Sequence, residues 1–320
     1  MTDKQSIQGR LTEESPLPIT PWNLKSWILR TYRSERVSSR NLQRGEISLA
    51  RIVRFLSPNL RNPVFAIGAP RSGTTFLGES LAQLPEISYH FEPVITKAAV
   101  RYVHQGLWSE RKARVLYRAT YKWLMRLRMK TDLRFCEKTP GNCFILPFLY
   151  RNFDGARFIH IVRDGRDAAL SLSQKPWYSN DSRHSGIRDP DGYFIGPSPR
   201  FWVEPERTNE YQNTSDIHRC IWLWRRYVEA ALAGAAQIPQ DHYLQLKYED
   251  FVADPGKVAD TISGFLRIDD PHSRAVFRHV VVSNFRADSV GRWASEFDGA
   301  QKEQLQREAG VLLRDLGYPV

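Results

Sequence analysis

Cysteine is scarce in this 320-residue chain, which holds only Cys136, Cys143 and Cys220. An odd, low count argues against a disulfide framework and fits a reducing compartment. Cys136 and Cys143 stand too far apart for a tight metal knuckle, and no His pair accompanies them. They read as small buried apolar side chains. Long apolar runs are missing too: no stretch approaches the roughly 20 residues that span a bilayer. The polar first residues carry no apolar signal core. The expectation is a cytoplasmic protein whose membrane contact, if any, is peripheral, through the aromatic and basic residues 22–32. A helix packed on the domain is the other reading of that stretch. Runs of Lys or Arg of the kind found in nucleic-acid-binding tails are also absent, and no nucleic-acid partner is expected.

What is present is a basic, globular composition. Hydrophobic residues make up 42% and charged residues 25%, ordinary values that exclude general disorder. Nine Trp and sixteen Phe supply one substantial core. Lys and Arg outnumber Asp and Glu by 46 to 35, a net charge of +11. That excess fits a site for a polyanionic small molecule, or simply a soluble basic surface.

Patterning along the chain predicts an α/β domain. Residues 21–57 have helical spacing and form one or two accessory helices, within an N-terminal extension over 1–62. Val64-Phe65-Ala66-Ile67 is a short apolar run, the mark of a fully buried strand. A Gly-bearing loop follows it, then a helix over 74–84. Further strands are expected at 87–91, 158–162 and 242–247, and helices at 108–130, 141–152, 164–174, 215–238, 255–267 and 301–316. Strand–loop–helix units of this kind make a P-loop-type parallel sheet flanked by helices on both faces, here in a single domain over 63–320. Ligands of such sheets bind beyond the carboxyl ends of the strands. Residues 176–214 break the pattern with Pro, Gly, Asn, Asp and Ser among scattered aromatics. They are expected to form a loop or lid over an acceptor.

The loop Gly68-Ala69-Pro70-Arg71-Ser72-Gly73-Thr74-Thr75 has the glycine spacing of a Walker A motif. Glycines let backbone N–H groups turn inward, and the following helix adds its positive end, so an anion site follows. The Lys expected after the second Gly is replaced by Thr74, and the loop's cation is Arg71. An ATPase needs that Lys together with Mg²⁺, so a small-molecule kinase is the weaker alternative and no metal is expected. A non-catalytic nucleotide-binding protein is the third reading. Arg163, at a strand end, and Ser171, two helical turns on, can converge on a second phosphate.

At these residues the chain resembles the sulfotransferases that use 3′-phosphoadenosine 5′-phosphosulfate, particularly their tyrosylprotein and bacterial branches. Residues 70–75 look like the family's 5′-phosphosulfate loop, which assigns Arg71, Ser72, Gly73, Thr74 and Thr75 to the nucleotide. The resemblance gives Arg71 a further contact to the leaving oxygen. It implies a 3′-phosphate site at Arg163 and Ser171, a C-terminal nucleotide loop with Ser289 and Arg292, and a contact from Tyr248. Glu92 corresponds to the base of tyrosylprotein sulfotransferases, with His90 as its competitor. Lys138, in Glu137-Lys138-Thr139-Pro140, corresponds to a transition-state cation, which Glu137 could orient. The implied reaction moves a sulfuryl group to a hydroxyl or amine of a small-molecule, phenolic, tyrosyl, glycan or lipid acceptor. Arg and Lys in residues 94–130 and 176–214 would suit an acidic one.

Overall fold

The computed structural model describes residues 16–38, 46–285 and 290–319. Five strands form one sheet: β1 Val64–Ile67, β2 Ile87–Phe91, β3 Arg134–Lys138, β4 Arg157–Val162 and β5 Tyr243–Lys247. Their order is β2-β3-β1-β4-β5, and every pairing is parallel. β1 and β4 are buried along their whole length, as the central strands of a covered parallel sheet should be.

Successive side chains of β1 enter two different cores, because a strand alternates its faces. Phe65 and Ile67 join Tyr117, Tyr121, Trp222 and Trp224 on one side. Val64 and Ala66 join Leu77, Ile262 and Phe277 on the other. The first core is covered by helices α4 (Val94–His104), α5 (Glu110–Leu127), α6 (Leu146–Asn152), α7 (Gly165–Ser173), α9 (Asp216–Ala235) and α14 (Gly299–Asp315). The second is covered by α3 (Thr74–Leu81), α10 (Tyr248–Ala253), α11 (Pro255–Leu266) and α12 (Pro271–Asn284). Helices α1 (Leu24–Ser38) and α2 (Leu49–Arg54) precede the sheet, α8 (Thr208–Asn213) lies between α7 and α9, and α13 (Trp293–Glu296) precedes α14.

Besides the short helices α8, α10 and α13, three elements go beyond the sequence pattern: β3, α4 and α12. β3 ends in Glu137 and Lys138, charged residues that hide a buried strand. The helix expected over 141–152 is split. A 3₁₀ turn, Pro140–Phe144, precedes α6, whose first turn carries Pro147.

Residues 176–214 are held firmly. Arg219 of α9 is fully buried, and its guanidinium donates to the carbonyls of Tyr178 (3.2 Å), Tyr211 (3.2 Å) and Thr214 (2.6 Å). One buried arginine thereby fixes both ends of the irregular segment. Among the described residues, no helix is long and apolar enough to cross a membrane. All three cysteines are buried and free.

Candidate active site

The loop after β1 has a backbone that only particular residues tolerate. Gly68 has φ +150°, and a Cβ there would lie 2.3 Å from the Ile161 carbonyl oxygen. Gly73 has φ +93°, and its Cβ would lie 2.7 Å from the Tyr248 ring. Arg71 adopts φ 69° without being glycine, a strain that concentrates at functional sites. Gly73 caps α3, and no described side chain caps that helix end, so its positive end faces the loop. Ser72 Oγ is buried there with no hydrogen-bond partner among the described residues. This chemistry fits an anionic group at the turn.

Arg71 gathers residues from the turn after β4 and from α7. Its Nε donates to Ser171 Oγ at 3.0 Å, and its carbonyl accepts from Arg163 Nη1 at 3.3 Å. Burial and the neighbouring Arg163 charge both push the Arg71 pKa down, so an anion here is strongly favoured. Arg163 also lies over the Tyr248 ring, 4.7 Å from its centroid.

The second half of the site comes from strand register. Phe91 pairs with Lys138 in the β2–β3 ladder, and the Glu92 N–H continues it by donating to the Lys138 carbonyl at 3.0 Å. Glu92 has φ 39°, again a left-handed conformation outside glycine. Its carboxylate is clamped by Lys138 Nζ at 2.5 Å and Lys97 Nζ at 2.8 Å. Burial pushes the Glu92 pKa up, but the two ammonium groups outweigh it and hold it at about 2. Burial pushes the Lys138 pKa down against the pull of Glu92.

A cavity of about 370 Å³ joins these parts. Arg71, Thr74, Thr75, Glu92, Lys97 and Lys138 line it, together with Trp177, Tyr178, Asp189, Asp191, Tyr193 and Arg200. A larger surface hollow, about 720 Å³ around Arg183, Arg188 and Phe194, includes none of the loop residues.

Residues 63–191 match the model of the sulfotransferase family. That segment contains the phosphate loop, Glu92, Lys138, Arg163 and Ser171. The likeness to that family is confined to this segment. The fold is similar to that of sulfotransferase STF9 from Mycobacterium avium, with TM-score 0.52 and 16% identity over 94% of this chain and 87% of that one. The sulfotransferase domain of the Synechococcus PCC 7002 olefin synthase aligns with TM-score 0.48 and 18% identity, over 82% of this chain and 98% of that one. No curated protein sequence matches the chain.

The structure brings most of the sequence-derived residues together and separates others. Arg71, Ser72, Gly73, Thr74, Thr75, Arg163, Ser171 and Tyr248 surround one loop. Tyr248 backs Gly73 as a packing partner. His90, the competing base by position, is sealed away from the cavity. It is fully buried, stacked on Phe135, and bonded to Glu35 at 2.9 Å and Ser88 at 3.0 Å. Glu137 does not orient Lys138; it lies on the opposite strand face, bonded to Tyr121 and to Thr139 at 2.6 Å. Arg292 is half-exposed and paired with Glu296. Its neighbours Gly291 and Trp293 donate backbone N–H groups to Asp167 of α7 at 2.7 and 3.1 Å, which docks this segment beside the loop. Ser289 lies outside the described residues.

Lys97, Asp189, Asp191 and Arg200 are cavity residues that sequence reasoning did not single out. Lys97 follows Glu92 by five positions, the first turn of α4 after Pro93. The two aspartates look like ordinary turn formers among Pro and Gly.

Proposed function

We propose that the enzyme transfers the sulfuryl group of 3′-phosphoadenosine 5′-phosphosulfate to an acceptor hydroxyl in the 370 Å³ cavity. The observation that carries this reading is the convergence of Arg163 and Ser171 on Arg71. A donor with two separated anionic groups needs cations at two strand ends, and the loop and β4 supply them. Thr74, where a phosphate-transferring loop places Lys, speaks against ATP chemistry.

When bound, the donor supplies the sulfuryl group: the acceptor oxygen bonds to sulfur, the bond from sulfur to the phosphate oxygen breaks, and adenosine 3′,5′-bisphosphate leaves. Ser72 and the α3 amides hold the 5′ end. Arg71 and Lys138 stabilise charge that develops on the leaving oxygen. Glu92 takes the acceptor proton. A carboxylate held at about 2 is a weak base. An anion that draws Lys138 toward itself loosens one of the two clamps on Glu92 and raises its proton affinity, so donor binding activates the base. Sulfuryl groups carry less charge than phosphoryl groups, so the proposal includes no metal. Three free, buried cysteines fit action in a reducing, cytoplasmic setting.

The test is incubation with the sulfate donor and a mixed acceptor panel, with products identified by mass spectrometry. A sulfated product formed in the presence of a chelator is expected. Chelator-sensitive ATP turnover without sulfation overturns the reading.

A further inference from the structure

The part of the cavity wall formed by Asp189, Asp191 and Arg200 carries polar atoms that its own residues leave unused. Asp189 Oδ2 accepts from Arg200 Nη2 at 2.5 Å, but Asp189 Oδ1 is buried without a hydrogen-bond partner among the described residues. Asp191 Oδ1 lies 3.7 Å from Arg200 Nη1, too far for a hydrogen bond, and is likewise unpartnered. Arg200 Nε is the third such atom. The Asp189 side chain is only 10% exposed and that of Arg200 only 4%. These groups are set firmly. Asp189 donates its N–H to the Tyr193 carbonyl at 2.7 Å, and Arg200 lies over the rings of Tyr178 and Tyr193 at 5.3 and 4.7 Å.

A buried polar atom without a partner costs about 1–3 kcal/mol, so this wall is set for a ligand that brings the missing partners. Its demand is specific: two carboxylate oxygens need donors, and one guanidinium N–H needs an acceptor. A hydroxyl supplies both, an ammonium only donates, and a carboxylate or sulfate only accepts. An anionic acceptor is disfavoured further, because Lys97 is already engaged by Glu92, and Arg200 by Asp189. A simple phenol has one hydroxyl, and transfer requires that one at Glu92, which leaves nothing for Asp189, Asp191 and Arg200. An acceptor with several hydroxyls reaches both. The aromatic lining residues Trp177, Tyr178, Tyr193 and Phe201 suit the C–H faces of a pyranose ring.

We infer that the acceptor is a sugar, one of whose hydroxyls is sulfated beside Glu92 while neighbouring hydroxyls bond to Asp189, Asp191 and Arg200. This rests on the sulfuryl-transfer reading above. One ring oxygen substituent gains the bond to sulfur, its proton passes to Glu92, and the sulfur–phosphate oxygen bond breaks as before. Asp189, Asp191 and Arg200 act as specificity residues for the ring.

The test uses the full chain with the sulfate donor and three kinds of acceptor: 4-nitrophenyl hexosides, 4-nitrophenol and a tyrosine-containing peptide. Sulfation on the sugar ring of at least one hexoside is expected, with kcat/KM about tenfold or more above the phenol and the peptide. Asp191→Asn, which keeps the side-chain shape, and Asp189→Ala are each expected to raise the hexoside KM about tenfold or more. Affinity for adenosine 3′,5′-bisphosphate, read by calorimetry, stays within about twofold, which separates a ring contact from a damaged fold. Preference for the phenol or peptide, or an unmoved hexoside KM in both variants, overturns the inference. If the panel is not sulfated although the bisphosphate binds, saturation-transfer NMR on the nucleotide-bound protein decides, and absence of hexoside binding also overturns it. Absence of both bisphosphate binding and transfer means instead that the sulfuryl-transfer reading has failed.

Discussion

Glu92 and Lys138, 46 positions apart in the chain, meet at 2.5 Å across the carboxyl ends of β2 and β3. The pair exists because Phe91 and Lys138 are in register, so the residue after one strand faces the last residue of the next. Lys97 approaches the other carboxylate oxygen from α4 at 2.8 Å. A proton acceptor and a cation for the leaving group are thus locked together, and each holds the other in its charged form. An anion that competes for Lys138 changes both at once.

Glu92→Gln should lower kcat by roughly 10²–10⁴-fold, the range expected when a positioned general base is removed. Binding of adenosine 3′,5′-bisphosphate should remain, because the loop and Arg163 are untouched. Steady-state kinetics beside calorimetry checks both parts, and a near-normal kcat would remove Glu92 from the chemistry.

Arg71→Ala removes the cation of the loop and the donor to Ser171. Loss of a charge-assisted contact of about 1.5–3 kcal/mol predicts bisphosphate binding weaker by about one to two orders of magnitude, measured by calorimetry. Ser171→Ala should have a smaller effect in the same direction, since it leaves the guanidinium in place.

Gly73→Ala sets a Cβ 2.7 Å from the Tyr248 ring at φ +93°. Strain of about 1–3 kcal/mol is expected, seen as a lower melting temperature together with weakened nucleotide binding. Tyr248→Ala in the same chain relieves the contact but not the backbone strain, so only partial recovery of melting temperature is expected.

Glu137 and Glu92 should give acid responses of opposite sign. Burial pushes the Glu137 pKa up to about 7, despite hydroxyl donors from Thr139 and Tyr121. Between the ordinary value of about 4.3 and that value, the folded protein keeps a proton the unfolded chain has lost. Its contribution is therefore present below about pH 4.3 and falls as pH rises toward 7, by an amount on the order of 3 kcal/mol. Glu137→Gln should flatten denaturant-melt stability across that window. The stabilisation from Glu92, whose pKa is held at about 2, is present above the ordinary carboxylate value and is lost as pH falls toward 2. Glu92→Gln should remove that acid-side loss.

Glu308 on α14 receives Arg225 at 2.8 Å, Arg207 at 2.8 Å and His218 at 2.9 Å, and its side chain is 4% exposed. Glu308→Ala strands these donors, and a loss of about 2–4 kcal/mol is expected in urea denaturation. Glu210, His218 and Glu308 lie close enough to share an ion. The two guanidiniums already occupy Glu308, so added zinc should not restore the melting temperature of the wild-type protein after denaturant stress or raise it beforehand.

The strands whose side chains are wholly or mostly apolar were legible without a structure. β1 and β4 announce themselves because both faces of a parallel sheet are buried. β3 does not, because Arg134, Glu137 and Lys138 sit where a strand pattern asks for apolar residues. Each is matched by a partner that is remote in the chain: Arg134 by the Leu266 carbonyl, Glu137 by Tyr121, Lys138 by Glu92. α12 carried a readable start, with Asp270 capping Ser273 before Pro271, but too weak an apolar stripe to stand out.

The local chemistry of the phosphate loop was written in consecutive residues. Glycine spacing, the displaced cation at Arg71 and Thr74 in place of Lys are properties of eight adjacent positions, and backbone sterics make them meaningful in isolation. Which carboxylate faces the cavity was not. His90, Glu92 and Glu137 lie within two adjacent strand ends; His90 and Glu137 are paired in register, and the left-handed backbone of Glu92, φ 39°, ends the strand alternation and turns its carboxylate to Lys138 instead. The acceptor wall was least legible. Asp189, Asp191 and Arg200 share the cavity with Glu92 while Arg219 pins residues 176–214 against α9, through a contact that reaches back 41 positions to the Tyr178 carbonyl.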